Sequence, residues 1–131
     1  MAGAIPFRFD HVHYYCSDLA ASERWFVEGL GGEVTQRMES GGAKSVFLRL
    51  GEASVILRSS PEGENLAAGD ANRYGTHHLG LIVDDLDATA AELKRRGVRF
   101  IMEPNEIRPG VKISFISGPD DVQIEVLERR R

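Results

Sequence analysis

The period of the hydrophobic pattern switches several times along the chain, and each switch marks the edge of an element. Phe9 to Cys16 alternates only loosely, but Val12, Tyr14 and Tyr15 favour a strand. Ser17-Asp18 follows as a helix N-cap. Leu19, Phe26 and Leu30 then fall on one face of a helix, with Glu23 and Glu28 off it. Gly29, Gly31 and Gly32 end that helix by permitting left-handed backbone. Glu33 to Glu39 reads as a strand and Ser40-Gly41-Gly42 as a turn. Lys44 to Leu50 alternates, with Val46, Leu48 and Leu50 on one face. Gly51-Glu52 turns the chain into a further strand, Ala53 to Arg58.

The same order then recurs. Ser59 to Tyr74 is a polar stretch rich in Gly, Ala and Asn, a linker long enough to cover something. His77 to Val83 reads as a strand. Asp85 caps a helix with Leu86, Ala90 and Leu93 on one face, and Gly97 ends it. Val98 to Met102 is a strand, and Glu103 to Gly110, with two prolines, is a loop. Val111 to Ser117 and Val122 to Leu127 are the last strands. His78 repeats His11, Asp85 repeats Asp18, Leu86 repeats Leu19 and Leu93 repeats Phe26, each pair 67 positions apart. One supersecondary unit occurs twice, and such repetition decides architecture. The expectation is an α+β domain over residues 1–131 built from two βαβββ modules in tandem. Module 1 covers about 7–59, the linker 60–74 and module 2 75–128. Each module has one sheet face covered by its helix and one bare. The bare faces form a curved mixed sheet around a cleft.

Composition changes this picture little. The 131 residues suffice for one core, and 42% hydrophobic with 27% charged residues is ordinary for a globular chain. A net charge of −4 with interspersed signs argues against nucleic acid, which calls for a concentrated basic face. No apolar run approaches the ~20 residues of a membrane span. No secretory signal is visible, and a lone cysteine, Cys16, cannot form an internal disulfide. Together these point to the cytoplasm.

The candidate chemistry comes from strand parity. His11, His13 and Tyr15 share one face of the first strand, and His78, Gly80 and Ile82 one face of its repeat. Glu125 points away from Ile124 and Val126. Two histidines at equivalent positions and one carboxylate make a facial set that leaves positions open on a divalent metal. Each also has a plainer reading. A strand histidine is commonly a hydrogen-bonded structural residue, and Glu125 fits a solvent-facing edge. Spacing leaves both open. His77 falls on the face opposite His78, as a surface or packing residue. Cys16 faces away from His11 and reads as buried and inert. Tyr15 either orients a substrate oxygen or packs in the core. His13 is either a base or a supporting histidine.

The openings DHVHYY and HHLGLIVDDLD and the ending FISGPDDVQIEVLE resemble the vicinal oxygen chelate superfamily, over nearly the whole chain. That superfamily includes glyoxalase I, methylmalonyl-CoA epimerase, extradiol dioxygenases, fosfomycin-resistance thiol transferases and bleomycin-binding proteins. The resemblance implies metal ligands at His11, His78 and Glu125, a homodimer, and a small-molecule substrate chelated through adjacent oxygens. It implies Mn²⁺, Fe²⁺, Ni²⁺ or Zn²⁺ as cofactor, with the metal stabilising an enolate or alkoxide. Proton transfer would fall to Glu125, His13 or a metal-bound hydroxide. The chain departs from the four-ligand pattern. Aligning Gly51 with Asp120 puts Ile56 on Glu125, and isoleucine cannot bind a metal. The epimerase's catalytic glutamate falls on Gln36. No match to the transferases' potassium loop is found near Arg108 to Ser114. A metal-dependent lyase or isomerase is the leading expectation. An extradiol-type Fe(II) dioxygenase on the same three ligands and a non-catalytic, bleomycin-resistance-like binding protein are the alternatives.

Overall fold

The structure, a computed structural model, describes residues 3–61 and 64–130. Strand β1 (Val12–Cys16) leads into helix α1 (Leu19–Arg24), which widens into a π-type turn over Trp25–Gly29. Strands β2 (Glu33–Ser40), β3 (Ala43–Leu50) and β4 (Ala53–Ser59) complete the first module. The second module holds β5 (Leu79–Ile82), α2 (Leu86–Arg95), β6 (Arg99–Arg108), β7 (Val111–Ser117) and β8 (Gln123–Arg129). The strand orders are β1-β4-β3-β2 and β5-β8-β7-β6. The outcome is two separate four-stranded mixed sheets, each with one parallel pair, β1·β4 or β5·β8. Each of the two βαβββ modules expected from the pattern thus forms one of the sheets.

Both helices start as their sequences dictate. Asp18 accepts a hydrogen bond from the Ala21 N–H and Asp85 from the Ala88 N–H, each at 3.0 Å. The buried faces follow the expected stripes: Phe26 on the first helical segment, and Leu86, Ala90 and Leu93 on α2. Opposite them lie Val46, Leu48, Val55 and Leu57 of one sheet and Ile116, Ile124 and Val126 of the other. These side chains form one continuous core. Each fully buried aliphatic side chain contributes about 1.5–3 kcal/mol.

Two expectations change, and one irregularity is added. The stretch from Glu103 is not a loop, because β6 continues to Arg108. It lies at the sheet edge, and a register shift between Met102 and Asn105 takes up Pro104, whose missing N–H then costs no ladder bond. Pro109 falls past the strand end, in the turn into β7. The first strands are shorter than expected: β1 starts at Val12 and β5 at Leu79, so His11 and His78 stand just before their strands. A bulge between Val34 and Gln36 flips the parity of β2 and brings Gln36 opposite Phe47.

Two latches join elements distant in sequence. Asp120 and Asp121 hold left-handed backbone (φ 56° and 61°), a conformation aspartate tolerates better than most residues. The Asp120 carboxylate accepts the Ser17 N–H at 3.0 Å and the Ser17 hydroxyl, tying the end of β1 to the β7–β8 turn. The Asp120 carbonyl accepts the Gly69 N–H at 2.7 Å. A Cβ at residue 69 would lie 2.7 Å from the Val122 side chain, so only glycine fits there. The second latch is Glu128, 2% exposed, which accepts the Leu86 N–H at 2.8 Å and Arg130 Nε at 2.6 Å.

The Leu86 N–H, and after it Arg130, holds the Glu128 carboxyl below the ordinary glutamate range. A depressed carboxyl stabilises the fold above its unfolded pKa, and that stability is lost as pH falls through the folded value. Glu128→Gln is therefore expected to lower Tm at pH 7. The gap from wild type should close as pH drops below the ordinary carboxylate range, as checked by thermal melts across pH.

Candidate functional site

Each sheet spends one face on the helices and core and leaves the other open. In the first sheet His13, Ile56, Phe47 and Gln36 lie in register across four strands of the open face. In the second, Gly80, Glu125, Phe115 and Met102 form the matching row. Ile56 therefore occupies the place in its sheet that Glu125 occupies in the other. Both are half-buried.

His78 and Glu125 are brought together, with Nε2 3.4 Å from Oε1 and side chains 30% and 20% exposed. The separation is long for a charge-assisted hydrogen bond. The His78 ring also meets Phe115 edge-on at 4.9 Å between centroids, which fixes its plane. Its Nδ1 lies 2.7 Å from Nδ1 of His77. His77 was expected on the opposite face, but both residues precede the strand, where alternation does not operate. At the equivalent place, His11 Nδ1 bonds Asp10 Oδ2 at 2.7 Å. Each histidine thus has Nδ1 engaged by the residue before it and Nε2 left for another partner. Asp10 was not singled out from the sequence, and His77 was read only as a surface or packing residue. Their adjacency to a repeated histidine is the signal that could have found them.

Among the described residues, no three His, Cys, Asp or Glu side chains gather within reach of one ion. The structure joins His78 to Glu125 and leaves His11, 39% exposed, outside that pair. His13 lies beside His11, ring centroids 6.3 Å apart. Burial, and behind it the charges of Arg58 and His11, lowers its pKa from the ordinary histidine value. Tyr15 is 56% exposed on the open face and is not a core residue. The neighbouring Tyr14 takes the core position and stacks on Phe26 at 6.3 Å.

A cavity of about 500 Å³ opens beside His13 and Tyr15, roofed by linker residues 64–69 and closed by Asp120 and Val122. Its size suits a small molecule. A second cavity of about 550 Å³, between α1 and the β2–β3 hairpin, is bordered by Glu23 and Arg37, which pair with each other. Ser45 is among its lining residues, but none of His11, His13, Tyr15, Ile56, His78 and Glu125 is. Cys16 lies at the wall of the first cavity but is only 3% exposed.

Residues 8–126 match the Glyoxalase/Bleomycin resistance protein/Dioxygenase superfamily, and the chain belongs to that family. It is 31% identical to the uncharacterised protein YwkD of Bacillus subtilis (strain 168), over 91% of this chain and 94% of that one. It is 26% identical to a probable chloroplastic lactoylglutathione lyase of Arabidopsis thaliana, over 93% of this chain. The match spans only 36% of that lyase's length. The solved glyoxylase/bleomycin resistance protein/dioxygenase domain of Frankia sp. EAN1pec superposes with a TM-score of 0.78 at 25% identity, covering 99% of this chain and 100% of that one. No helix among the described residues is long and apolar enough to cross a membrane.

Burial, reinforced by the Asp120 charge and offset in part by a hydrogen bond involving Ser22, raises the Cys16 thiol pKa. Native protein at pH 8 is expected to react with a thiol reagent at least ~100-fold more slowly than urea-unfolded protein, since reaction needs an exposed thiolate. Equal rates would place the thiol outside the core.

Proposed function

We propose that the chain is a metal-dependent enzyme of the glyoxalase-like class, a lyase or isomerase acting on a small molecule that offers two adjacent oxygens. The observation that carries this reading is the repeated histidine presentation, with Nδ1 engaged by the preceding residue and Nε2 free. In the second module that Nε2 lies 3.4 Å from a carboxylate oxygen. Ligands on one ion at ~2.1 Å stand about 3–3.4 Å apart, so the His78–Glu125 pair fits a shared divalent cation. His11, His78 and Glu125 are the residues that would hold it. Mixed nitrogen and oxygen donors suit Mn²⁺, Fe²⁺, Ni²⁺ or Zn²⁺. When bound, such an ion supplies Lewis acidity for negative charge developing on substrate oxygens.

We take His13, on the face that carries Ile56, as the residue that would accept a proton from a bound molecule. Gln36, at the far end of the same row, cannot serve as a base. That speaks against epimerisation by paired carboxylates. Ile56 leaves the fourth ligand place apolar, and this favours a second reading, an Fe(II) dioxygenase on a His-His-Glu set. Metal identity and oxygen uptake separate the two. We also read the chain as a cytoplasmic homodimer, since β1, β2, β5 and β6 are all sheet edges that gain from cover. Sedimentation showing only monomer at micromolar concentration would contradict that.

Metal analysis of protein purified without chelator is expected to find one divalent ion per chain. His78→Ala and Glu125→Ala should each weaken metal binding by at least ~10-fold, with little change in the metal-free melt. Wild-type protein that binds no divalent ion would overturn the enzyme reading in favour of a small-molecule binding protein.

Ile56→Glu should tighten metal binding by roughly tenfold, because an anionic oxygen joins the donors. A destabilised variant with unchanged metal affinity would remove Ile56 from the site, since a buried unpaired carboxylate costs several kcal/mol.

A further inference from the structure

One register step along β1 from His13 lies a different row. Tyr15 is opposite Arg58, and Arg58 is opposite Ser45. By strand alternation all three side chains share the open face with His13, Ile56 and Phe47. Each carries a hydrogen-bond donor, and they stand side by side on β1, β4 and β3. The corresponding row of the second sheet is Ile82, Leu127 and Ile113, which carries no side-chain donor.

Arg58 stands out among the arginines. Of those described, it is the one that is half-buried, and it has no ion-pair partner among the described residues. Arg37, Arg49, Arg95, Arg96, Arg99 and Arg130 all meet carboxylates. The acid nearest in register on this face, Glu33, is engaged by Arg49. A partly desolvated guanidinium calls for an anion, and its planar fork matches a carboxylate. Tyr15, with its exposed ring, and Ser45 add hydroxyl donors on either side.

We propose that the Tyr15–Arg58–Ser45 row anchors a carboxylate of the substrate. The ligand's apolar body would then lie over Ile56 and Phe47, one row nearer the histidines. Adjacent same-face rows are about 7 Å apart. This names the substrate class, a small carboxylic acid with its chelating oxygens distant from the acid group. As a statement about substrate it rests on the function proposed above. Arg58 is on this view a positioning residue that sets specificity, and its side of the site needs no metal to be examined.

The test uses the 131-residue chain, free of metal, with acetate as probe and acetamide as its neutral isostere. The side-chain Nε–H signal of Arg58 is identified by its disappearance in Arg58→Lys. Arg24, exposed and without an ion pair among the described residues, is the internal control. Acetate should shift the Arg58 signal saturably, with a Kd at least roughly tenfold lower than at Arg24. Acetamide should not. Tyr15→Phe and Ser45→Ala should each weaken acetate at Arg58 while leaving Arg24 unchanged. An acetate Kd at Arg58 no lower than at Arg24, or equal response to acetamide, overturns the proposal. Metal titration of the same sample reports on the His78–Glu125 pair separately, so loss of one reading is not mistaken for loss of the other.

Discussion

Each strand has two faces, and in this chain one of them is committed to a helix. Val46, Leu48, Val55 and Leu57 on one side, and Ile116, Ile124 and Val126 on the other, are removed from water by that commitment. The strand residues of the candidate site are displaced to the opposite face as a result. His13, Tyr15, Arg58 and Glu125 are where they are because the neighbouring positions had to be apolar. Backbone pairing then converts sequence parity into rows of side chains, and those rows are the units in which the open faces can be read.

The two faces have diverged while their scaffold has not. Asp18 and Asp85 cap their helices with the same bond to the third following amide. His11 and His78 stand at the same threshold, each engaged by its predecessor. Yet the predecessor is an aspartate in one module and a histidine in the other. The row behind it has Ile56 in one module and Glu125 in the other. A carboxylate beside His11 can only accept, so it holds the ring in one tautomer, with the proton on Nδ1. A histidine beside His78 can exchange donor and acceptor roles. The electrostatic character of the two halves therefore differs although their folds repeat.

Most of the fold was legible because period, capping and glycine placement agreed with one another. Lys44 to Leu50 and Val111 to Ser117 were readable from alternation alone, and Asp18 and Asp85 from capping chemistry. Pro104 misled because proline ordinarily breaks strands, and nothing local says that β6 is an edge strand. The bulge in β2 was equally silent, so the side of the sheet taken by Gln36 could not be counted from Val34. At the site, parity correctly put Glu125 away from the core. It failed for His77, which precedes its strand. Parity puts Arg58 on the open face without singling it out, since its interest lies equally in its having no ion-pair partner among the described residues. The order of the two tyrosines was decided by packing: Phe26 receives Tyr14, so Tyr15 is turned outward.

The Ser17–Asp120 contact spans 103 positions of sequence. Nearly the whole chain must exist before that contact can form. A ribosome that has released only the first module has made His13 and Tyr15 but not the Asp120 turn that borders the cavity beside them. Closing so long a loop costs entropy before any contact repays it, so the cavity belongs to the late steps of folding. During synthesis the first module must therefore keep its open face soluble unaided. Polar side chains at His13, Arg58 and Ser45, interspersed with Ile56 and Phe47, meet that requirement as well as any later one.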